Sequence, residues 1–230
     1  MQPAVATTTD AARRGAEPWS LLGQRGPSLL EALFPGISPV QQAAVAAAFI
    51  ALVAGLAQTR FFLPGNPVPI TFQTFGVLLT GGVLGWRWGL ASAIGYYLAG
   101  MAGVPVFQGG SNGWEYVTGG VTGGYLLGFI LCVGMVGFLS QRGWNRSQVL
   151  WPMLLGSLLL YAPALIWLTV FDFGWPADGE LFTSGMYAFI PGDIVKLMLA
   201  SLAVGGGWRY VDTRRDSSPD DVSTPHGQRD

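Results

Sequence analysis

The sequence predicts an all-α integral membrane protein: a bundle of six transmembrane helices with N- and C-termini cytoplasmic. Three observations predict this class, namely scarce charge, six apolar runs and an uneven distribution of arginines. Half of the 230 residues are hydrophobic and only 11% are charged, whereas a soluble domain carries about 25% charged residues. The chain therefore has too few charges to cover a surface that faces water.

Six apolar runs approach the roughly 20 residues that cross a hydrocarbon core of about 30 Å. Helices are expected because every backbone polar group in lipid must be satisfied within its segment, and the runs lack the alternation of barrel strands. The second and third runs are short and separated only by a tight turn. The predicted spans are Pro39–Gln58, Ile70–Gly85, Trp88–Gly103, Thr122–Ser140, Val149–Val170 and Met186–Trp208.

The arginines predict the orientation. If the N-terminus is cytoplasmic and the spans alternate, Arg60 alone lies outside, which is a strong positive-inside bias. The outward loops are then 59–69, 104–121 and 171–185. The arginines expected inside are Arg13, Arg14, Arg25, Arg87, Arg142, Arg146, Arg209, Arg214, Arg215 and Arg229.

The two ends of the chain differ in composition from its middle. Residues 1–38 predict a mostly disordered cytoplasmic arm, residues 39–209 the six-helix membrane domain, and residues 210–230 a disordered cytoplasmic tail. The start of the chain lacks the apolar segment of a secretory signal peptide. A net charge of −1 gives no reason to expect nucleic acid as a partner.

Metal and histidine chemistry are not expected inside the membrane domain. The single cysteine, Cys132, lies in an apolar run, and the single histidine, His226, lies in the polar tail. One cysteine forms neither an intramolecular disulfide nor a cysteine metal cluster. We therefore expect no catalytic residue, no metal site and no cofactor.

Asp193 and Lys196 are the only charges well inside a predicted span, and Lys196 is the only lysine of the chain. Residues at i and i+3 share one helix face. Charges at such depth cost a few kcal/mol and are usually retained for a site or a partner. A Pro191-Gly192 break precedes the pair, which favours a polar ligand over the alternative of a self-neutralising pair that only packs the bundle.

Two further polar features lie toward the same outer end. Gln73 offers an uncharged donor and acceptor, either for a ligand or for a hydrogen bond between helices. The glycine-rich stretch that contains Phe107 and Asn112 allows close approach of main chain to a ligand, or is a flexible connector. Together with the Asp193–Lys196 pair, they predict a small-molecule site in an apolar bundle.

Alanines at helical spacing mark one face of the first span. Ala43, Ala47 and Ala51 form a ridge of small residues, and such ridges allow close contact between helices in membranes. Spacing alone leaves open whether that contact is internal or with a partner protein.

Four motifs in this order resemble the BioY family, the biotin-binding S components of energy-coupling-factor (ECF) transporters. They span about Pro39 to Trp208 and departures are few, although Val121 stands where the family often has proline. The motifs are Pro67-Val68-Pro69-Ile70-Thr71-Phe72-Gln73-Thr74, Gly103-Val104-Pro105-Val106-Phe107-Gln108-Gly109-Gly110, Thr122-Gly123-Gly124-Tyr125-Leu126-Leu127-Gly128-Phe129 and Pro191-Gly192-Asp193-Ile194-Val195-Lys196.

The resemblance implies high-affinity biotin binding for uptake across the plasma membrane, with biotin as transported ligand. It implies that Asp193 accepts from the ureido N–H groups, and that Lys196 neutralises Asp193 or pairs with the biotin carboxylate. Gln73 and Asn112 would complete the ureido contacts, and Phe107 and Tyr125 would contact the apolar rings.

The resemblance also implies partners. An S component of this kind works with a membrane T component and ATPase subunits, and the ridge of Ala43, Ala47 and Ala51 looks like the surface for that contact. Some family members are thought to work alone, and the sequence leaves this open.

Other functions remain open at the level of sequence. The chain could serve another small vitamin, or act as a self-sufficient secondary carrier with Glu115 as its second acidic group. An intramembrane hydrolase would need a serine beside Lys196, and Ser184 and Ser201 are the nearest serines. A purely structural membrane protein would bind no ligand.

Overall fold

The computed structural model describes residues 25–144 and 148–217 and is mostly helical. Its only sheet within these residues is a two-stranded antiparallel ribbon of β1, Arg60–Phe61, and β2, Ile70–Thr71. The helices are α1, Leu29–Leu33; α2, Pro39–Leu56; α3, Gln73–Met101; α4, Trp114–Gly119; α5, Gly123–Leu139; α6, Leu150–Val170; and α7, Ile190–Asp216.

The all-α membrane class is confirmed. Among the described residues, five helical segments are long and apolar enough to cross a membrane, judged by length and composition. The second and third predicted spans belong to one continuous segment. The five segments are Pro39–Leu56, Gln73–Met101, Gly123–Trp144, Leu150–Val170 and Thr183–Asp216.

Helix α3 is bent at Gly85, so its two arms run antiparallel. Gly85 has φ 71° and ψ −171°, a conformation that is essentially restricted to glycine. A Cβ on Gly89 would lie 3.5 Å from the carbonyl oxygen of Thr80, and Gln73 Nε2 donates to Tyr96 Oη at 2.8 Å. The contacts join residues nearly equidistant from the bend, as expected for a helical hairpin.

Helix α5 lies at the centre of the bundle, between α3 and α6. Small residues bring the backbones close: a Cβ on Gly81 would come within 2.9 Å of the Val133 carbonyl oxygen, and a Cβ on Gly128 within 2.2 Å of the Leu160 carbonyl oxygen. Without a hydrophobic driving force in lipid, this close packing is what holds helices together. The core is therefore built around α5.

Helix α2 lies at the edge of the bundle. It begins at a capping box in which Ser38 and Gln41 exchange hydrogen bonds with each other's backbone. Only Ala46 and Val53 are buried along its length. The predicted ridge of Ala43, Ala47 and Ala51 faces away from the core and is exposed.

The folded part begins before residue 39. Ser28 and Glu31 form the capping box of α1, Leu29 and Leu30 are buried, and the Gly26 N–H donates to the Gln141 carbonyl at 2.7 Å. At the other end α7 continues to Asp216, past the predicted boundary at 209. Residues 1–24, 145–147 and 218–230, with Arg13, Arg14, Arg146 and Arg229, lie outside the described residues, as does most of the predicted arm and tail.

The described arginines divide between the two ends of the bundle. Arg60 Nη1 donates to Gln108 Oε1 at 2.8 Å, at the end where α3, α5 and α7 begin. The opposite end carries Arg25, whose guanidinium lies 5.9 Å from the Trp86 ring, and Arg142, 3.4 Å from the Phe138 ring. Arg87 in the α3 bend and Arg209, Arg214 and Arg215 on α7 lie at that same end.

Candidate ligand-binding site

A cavity opens at the Arg60 end, where α3, α5 and α7 begin. Its volume is about 570 Å³, including space that is open to the outside. Ligand sites in proteins are typically concave, mostly apolar and of this size. The aromatic lining consists of Phe107, Tyr116, Tyr125, Phe129, Tyr161 and Phe189, and the polar lining of Thr71, Gln73, Thr74, Gln108, Thr122, Asp193 and Lys196.

The charged pair of α7 lies on the cavity wall. Lys196 Nζ contacts Asp193 Oδ1 at 3.0 Å, and Tyr161 of α6 donates a hydrogen bond to Asp193 Oδ2. Asp193 and Lys196 are only 7% and 5% exposed. Asp193 sits in the first turn of α7, where the helix dipole favours a negative charge. The carboxylate is therefore held in place by two neighbouring groups.

The ammonium group of Lys196 retains hydrogen-bonding capacity. It has three N–H donors, and within the described part of the chain its hydrogen-bond partner is Asp193 alone. The opposite charges of Lys196 and Asp193 balance each other within the ion pair. It also faces a cavity, where the remaining donors and acceptor lone pairs can meet a polar ligand.

Gln73 is the centre of a buried hydrogen-bond chain. The Thr71 hydroxyl donates to Gln73 Oε1 at 2.9 Å, Gln73 Nε2 donates to Tyr96 Oη at 2.8 Å, and Tyr96 donates to the Val106 carbonyl at 3.0 Å. Gln73 lines the cavity and also joins the two arms of α3, so both predicted roles coincide. This series of hydrogen bonds fixes the loop that carries Phe107.

Phe107 forms part of the cavity wall and is fully buried. Its ring stacks on Tyr116 at a centroid distance of 5.5 Å and meets Tyr96 edge-on at 5.5 Å. A Cβ on Gly100 would lie 2.0 Å from Phe107 Cζ, so glycine is required for the ring to sit there. Gln108, which donates to the Tyr116 hydroxyl at 3.1 Å, continues the wall toward Arg60.

Tyr125 also forms part of the aromatic lining of the cavity. Its hydroxyl donates to the Gly185 carbonyl at 2.6 Å, which ties α5 to the turn before α7. Its ring lies edge-on to Tyr161 at 6.3 Å and to Phe189 at 6.0 Å. These contacts leave ring surface toward the cavity, which suits apolar rings of a ligand.

Asn112 does not line the cavity, contrary to the predicted binding set. Its side chain is exposed and donates to the Gly110 carbonyl at 3.0 Å. The glycines around it turn the loop away, and Gly113 has φ 94°. Three residues named for other functions, Glu115, Ser184 and Ser201, also do not line the cavity.

Sequence reasoning missed Tyr161, Tyr116 and Gln108. Tyr161 is a hydroxyl-bearing residue inside an otherwise apolar span, and this was the signal that could have identified it. Gln108 lies within a recognised motif but was not selected from it. Tyr116 could not be identified from the sequence, because its approach to Phe107 depends on the fold of the loop.

The arrangement suits a small amphiphilic molecule. Aromatic rings form an apolar slot, and the Asp193–Lys196 ion pair at its wall, which has no net charge, can accept and donate hydrogen bonds. Desolvated polar groups of this kind discriminate strongly against ligands that fail to pair with them.

The BioY family model matches residues 28–213. Among curated proteins, the chain is 34% identical over 160 residues to a probable biotin transporter BioY of Pyrococcus horikoshii, covering 70% of this chain and 91% of that protein. It is 36% identical over 146 residues to the biotin transporter BioY of Rhizobium etli, covering 59% and 75%. A third relative, the biotin transporter BioY of Thermotoga maritima, is 33% identical over 140 residues, covering 61% and 80%.

The fold is similar to a solved structure, that of the S-component for biotin from an ECF-type ABC transporter. The TM-score is 0.65 at 24% identity, and the match covers 78% of this chain and 95% of the other. At this identity the likeness shows the fold. The match of the family model over 28–213, together with these relatives, shows that the chain belongs to the BioY family.

Proposed function

We propose that this protein takes up biotin, as the substrate-binding membrane component of an ECF-type transporter in the plasma membrane. The observation that carries the proposal is the buried Asp193–Lys196–Tyr161 group on the wall of an aromatic cavity. Relatives named as biotin transporters support the choice of vitamin. The family is one of transporters, which argues against the alternative of an intramembrane hydrolase.

The chemistry of biotin matches the cavity. Its ureido group has two N–H donors and one carbonyl acceptor, its thioether ring is apolar, and its carboxylate is anionic at neutral pH. Asp193 accepts from a ureido N–H in a charge-assisted hydrogen bond. Lys196 neutralises Asp193 and donates either to the ureido carbonyl or to the carboxylate, while Phe107 and Tyr125 contact the rings.

Equilibrium binding of biotin to the detergent-purified protein tests this function. We expect saturable binding that weakens by at least about tenfold in Asp193→Asn and Lys196→Ala, because each change leaves a buried partner unpaired. Ser201→Ala is the matched control, since Ser201 lies on the same helix and does not line the cavity. A folded wild-type protein that binds no biotin would refute the proposal.

Competition separates biotin from other vitamins. The same fold could carry a different small ligand, so excess thiamine and riboflavin are added to the binding assay. We expect neither to displace biotin, because neither presents a cyclic urea with two N–H donors beside one carbonyl, the arrangement proposed to pair with Asp193 and Lys196. Displacement by thiamine or riboflavin at concentrations near those of biotin would favour the alternative of another vitamin.

We further propose six crossings with both termini in the cytoplasm. If each arm of α3 crosses the bilayer, the chain crosses in α2, twice in α3, and in α5, α6 and α7. Six described arginines then lie on the inside and Arg60 outside, in keeping with the positive-inside rule. The cavity faces outward in this orientation, where a transported vitamin would enter.

The proposed partners are a T component and ATPase subunits. The exposed ridge of Ala43, Ala47 and Ala51 supports this, because α2 lies at the edge of the bundle with only two buried residues. Such small-residue faces permit close contact with another helix. A self-sufficient carrier is less favoured, since Glu115 is exposed on α4 and no second acidic group lines the cavity among the described residues.

A further inference from the structure

A groove at the arginine-rich end of the bundle lies between α1 and the last turns of α7. It encloses about 830 Å³, including space open to solvent, and its α7 side is formed by Val211, Arg214 and Arg215. A second groove of about 870 Å³ runs along the other side of α1, toward α2, and is lined by apolar residues such as Phe34 and Ile37. Leu33 lines both grooves, so they meet at the end of α1.

The arginines of the groove lie at the outer edge of a lipid headgroup layer. The apolar stretch of α7 ends at Trp208, and Arg214 follows six residues later, about 9 Å along the helix axis. A bilayer of about 40–45 Å with a core of about 30 Å has headgroup layers of about 5–8 Å on each side. Leu29 packs against Gly207, which places α1 at the same boundary.

The charge of this end favours an anion. Within the described ranges it carries six arginines and only three carboxylates, those of Glu31, Asp212 and Asp216. Two of these arginines, Arg214 and Arg215, line the groove together with one carboxylate, that of Glu31. The Glu31 carboxylate also accepts from the Ser28 N–H at 2.7 Å. The Arg214 guanidinium lies 4.4 Å from the Tyr210 ring centroid, a distance typical of a cation–π contact.

Arginine is suited to a phosphate partner because its planar guanidinium matches two phosphate oxygens at once. The apolar groove beside it is suited to an acyl chain, since most of its lining is apolar and Phe34 is 60% exposed there. Clusters of basic residues on the cytoplasmic side of membrane helices bind anionic headgroups.

We propose that this α1–α7 groove binds one anionic phospholipid, with its phosphate on Arg214 and Arg215 and an acyl chain against Leu33, Phe34 and Ile37. The site lies at the opposite end of the bundle from the cavity. Val45 of the apolar groove lies on a different face of α2 from Ala43 and Ala47, so lipid and a partner on the alanine ridge would not compete.

Native mass spectrometry of the full-length detergent-purified protein tests the proposal. The protein is titrated with phosphatidylglycerol and with phosphatidylcholine of the same acyl chains. We expect a preference of about tenfold for phosphatidylglycerol at the first bound lipid, since each arginine near the surface adds attraction for anionic lipid. The double variant Arg214→Gln/Arg215→Gln should lose this preference while eluting as a monodisperse protein.

Arg87→Gln is the matched control, because it removes one exposed charge at the same end without touching the groove. It should keep the preference. Millimolar inorganic phosphate should not displace the lipid, since phosphate lacks the acyl chain; displacement would mean that a free anion is the ligand and would overturn the proposal.

Two other results would also overturn it. One is equal retention of both lipids by the wild type, or a preference that survives in the double variant. The other is a preference for phosphatidylglycerol that is absent in the intact chain and appears only in a variant ending at Ser217. That result would mean that the acidic residues Asp220 and Asp221 are the occupant of the groove in the intact chain.

Discussion

The central residue of the cavity wall is Asp193, and its two oxygens have different partners. Lys196 on the same helix supplies the counter-charge, and this contact could be predicted from i, i+3 spacing. Tyr161 comes from α6, thirty-two residues earlier in the chain. A contact between helices depends on their rotation and depth, which periodicity does not determine, so Tyr161 was not predicted.

Tyr161→Phe tests the importance of the second contact. The change removes one hydrogen bond to a buried carboxylate, worth about 1.5–3 kcal/mol, and lets the carboxylate shift away from its binding position. We expect biotin affinity to fall by about tenfold or more in the equilibrium assay. Tyr97→Phe is the control, as Tyr97 is half-buried and does not line the cavity; equal effects of the two changes would contradict a specific role.

At the scale of elements, the sequence predicted six spans, which fall on five helical segments, and a tight turn between the second and third. The turn proved to be a single glycine, Gly85, within one continuous helical segment. Apolar composition identifies where lipid-facing helices lie, but the position of the break depends on close contact with Gln141 and Gly137 of the following segment. Of the six residues predicted to bind the ligand, five line the cavity.

The bend makes a prediction about stability. In Gly85→Ala, a Cβ would lie 2.6 Å from the Gln141 side chain, and the backbone conformation alone costs about 1–3 kcal/mol for a residue other than glycine. We expect a clear drop in the thermal denaturation midpoint in detergent. Gly55→Ala should show no drop, because its Cβ meets open space and alanine favours a helix interior.

For the whole molecule, the uneven distribution of arginines predicts one orientation, in which the end with the cavity and Arg60 faces outward. It can be tested by cysteine labelling in intact cells, using Cys132→Ala as background. Asp178→Cys, exposed between α6 and α7, should react with a membrane-impermeant maleimide. Arg87→Cys, exposed in the α3 bend, should react only after permeabilisation. The reverse pattern would show that the cavity faces the cytoplasm.

The exposed face of α2 predicts a separation of binding from transport. Ala47→Trp places a large ring on the alanine ridge and should abolish biotin uptake in cells that express the T component and ATPase subunits, while binding in detergent stays intact. Ile166→Trp, on the exposed face of α6, is the control and should keep uptake. Equal uptake by both variants would show that the ridge is not the partner surface.

The cavity wall is assembled from separate pieces of the chain: the start of α3, the loop that carries Phe107, and faces of α5, α6 and α7. A molecule that fills it joins these pieces without any covalent link. By mass action it stabilises the folded state by about 2.7 kcal/mol at a hundred times its dissociation constant. Resistance to heat therefore becomes a direct reporter of which vitamin the protein carries.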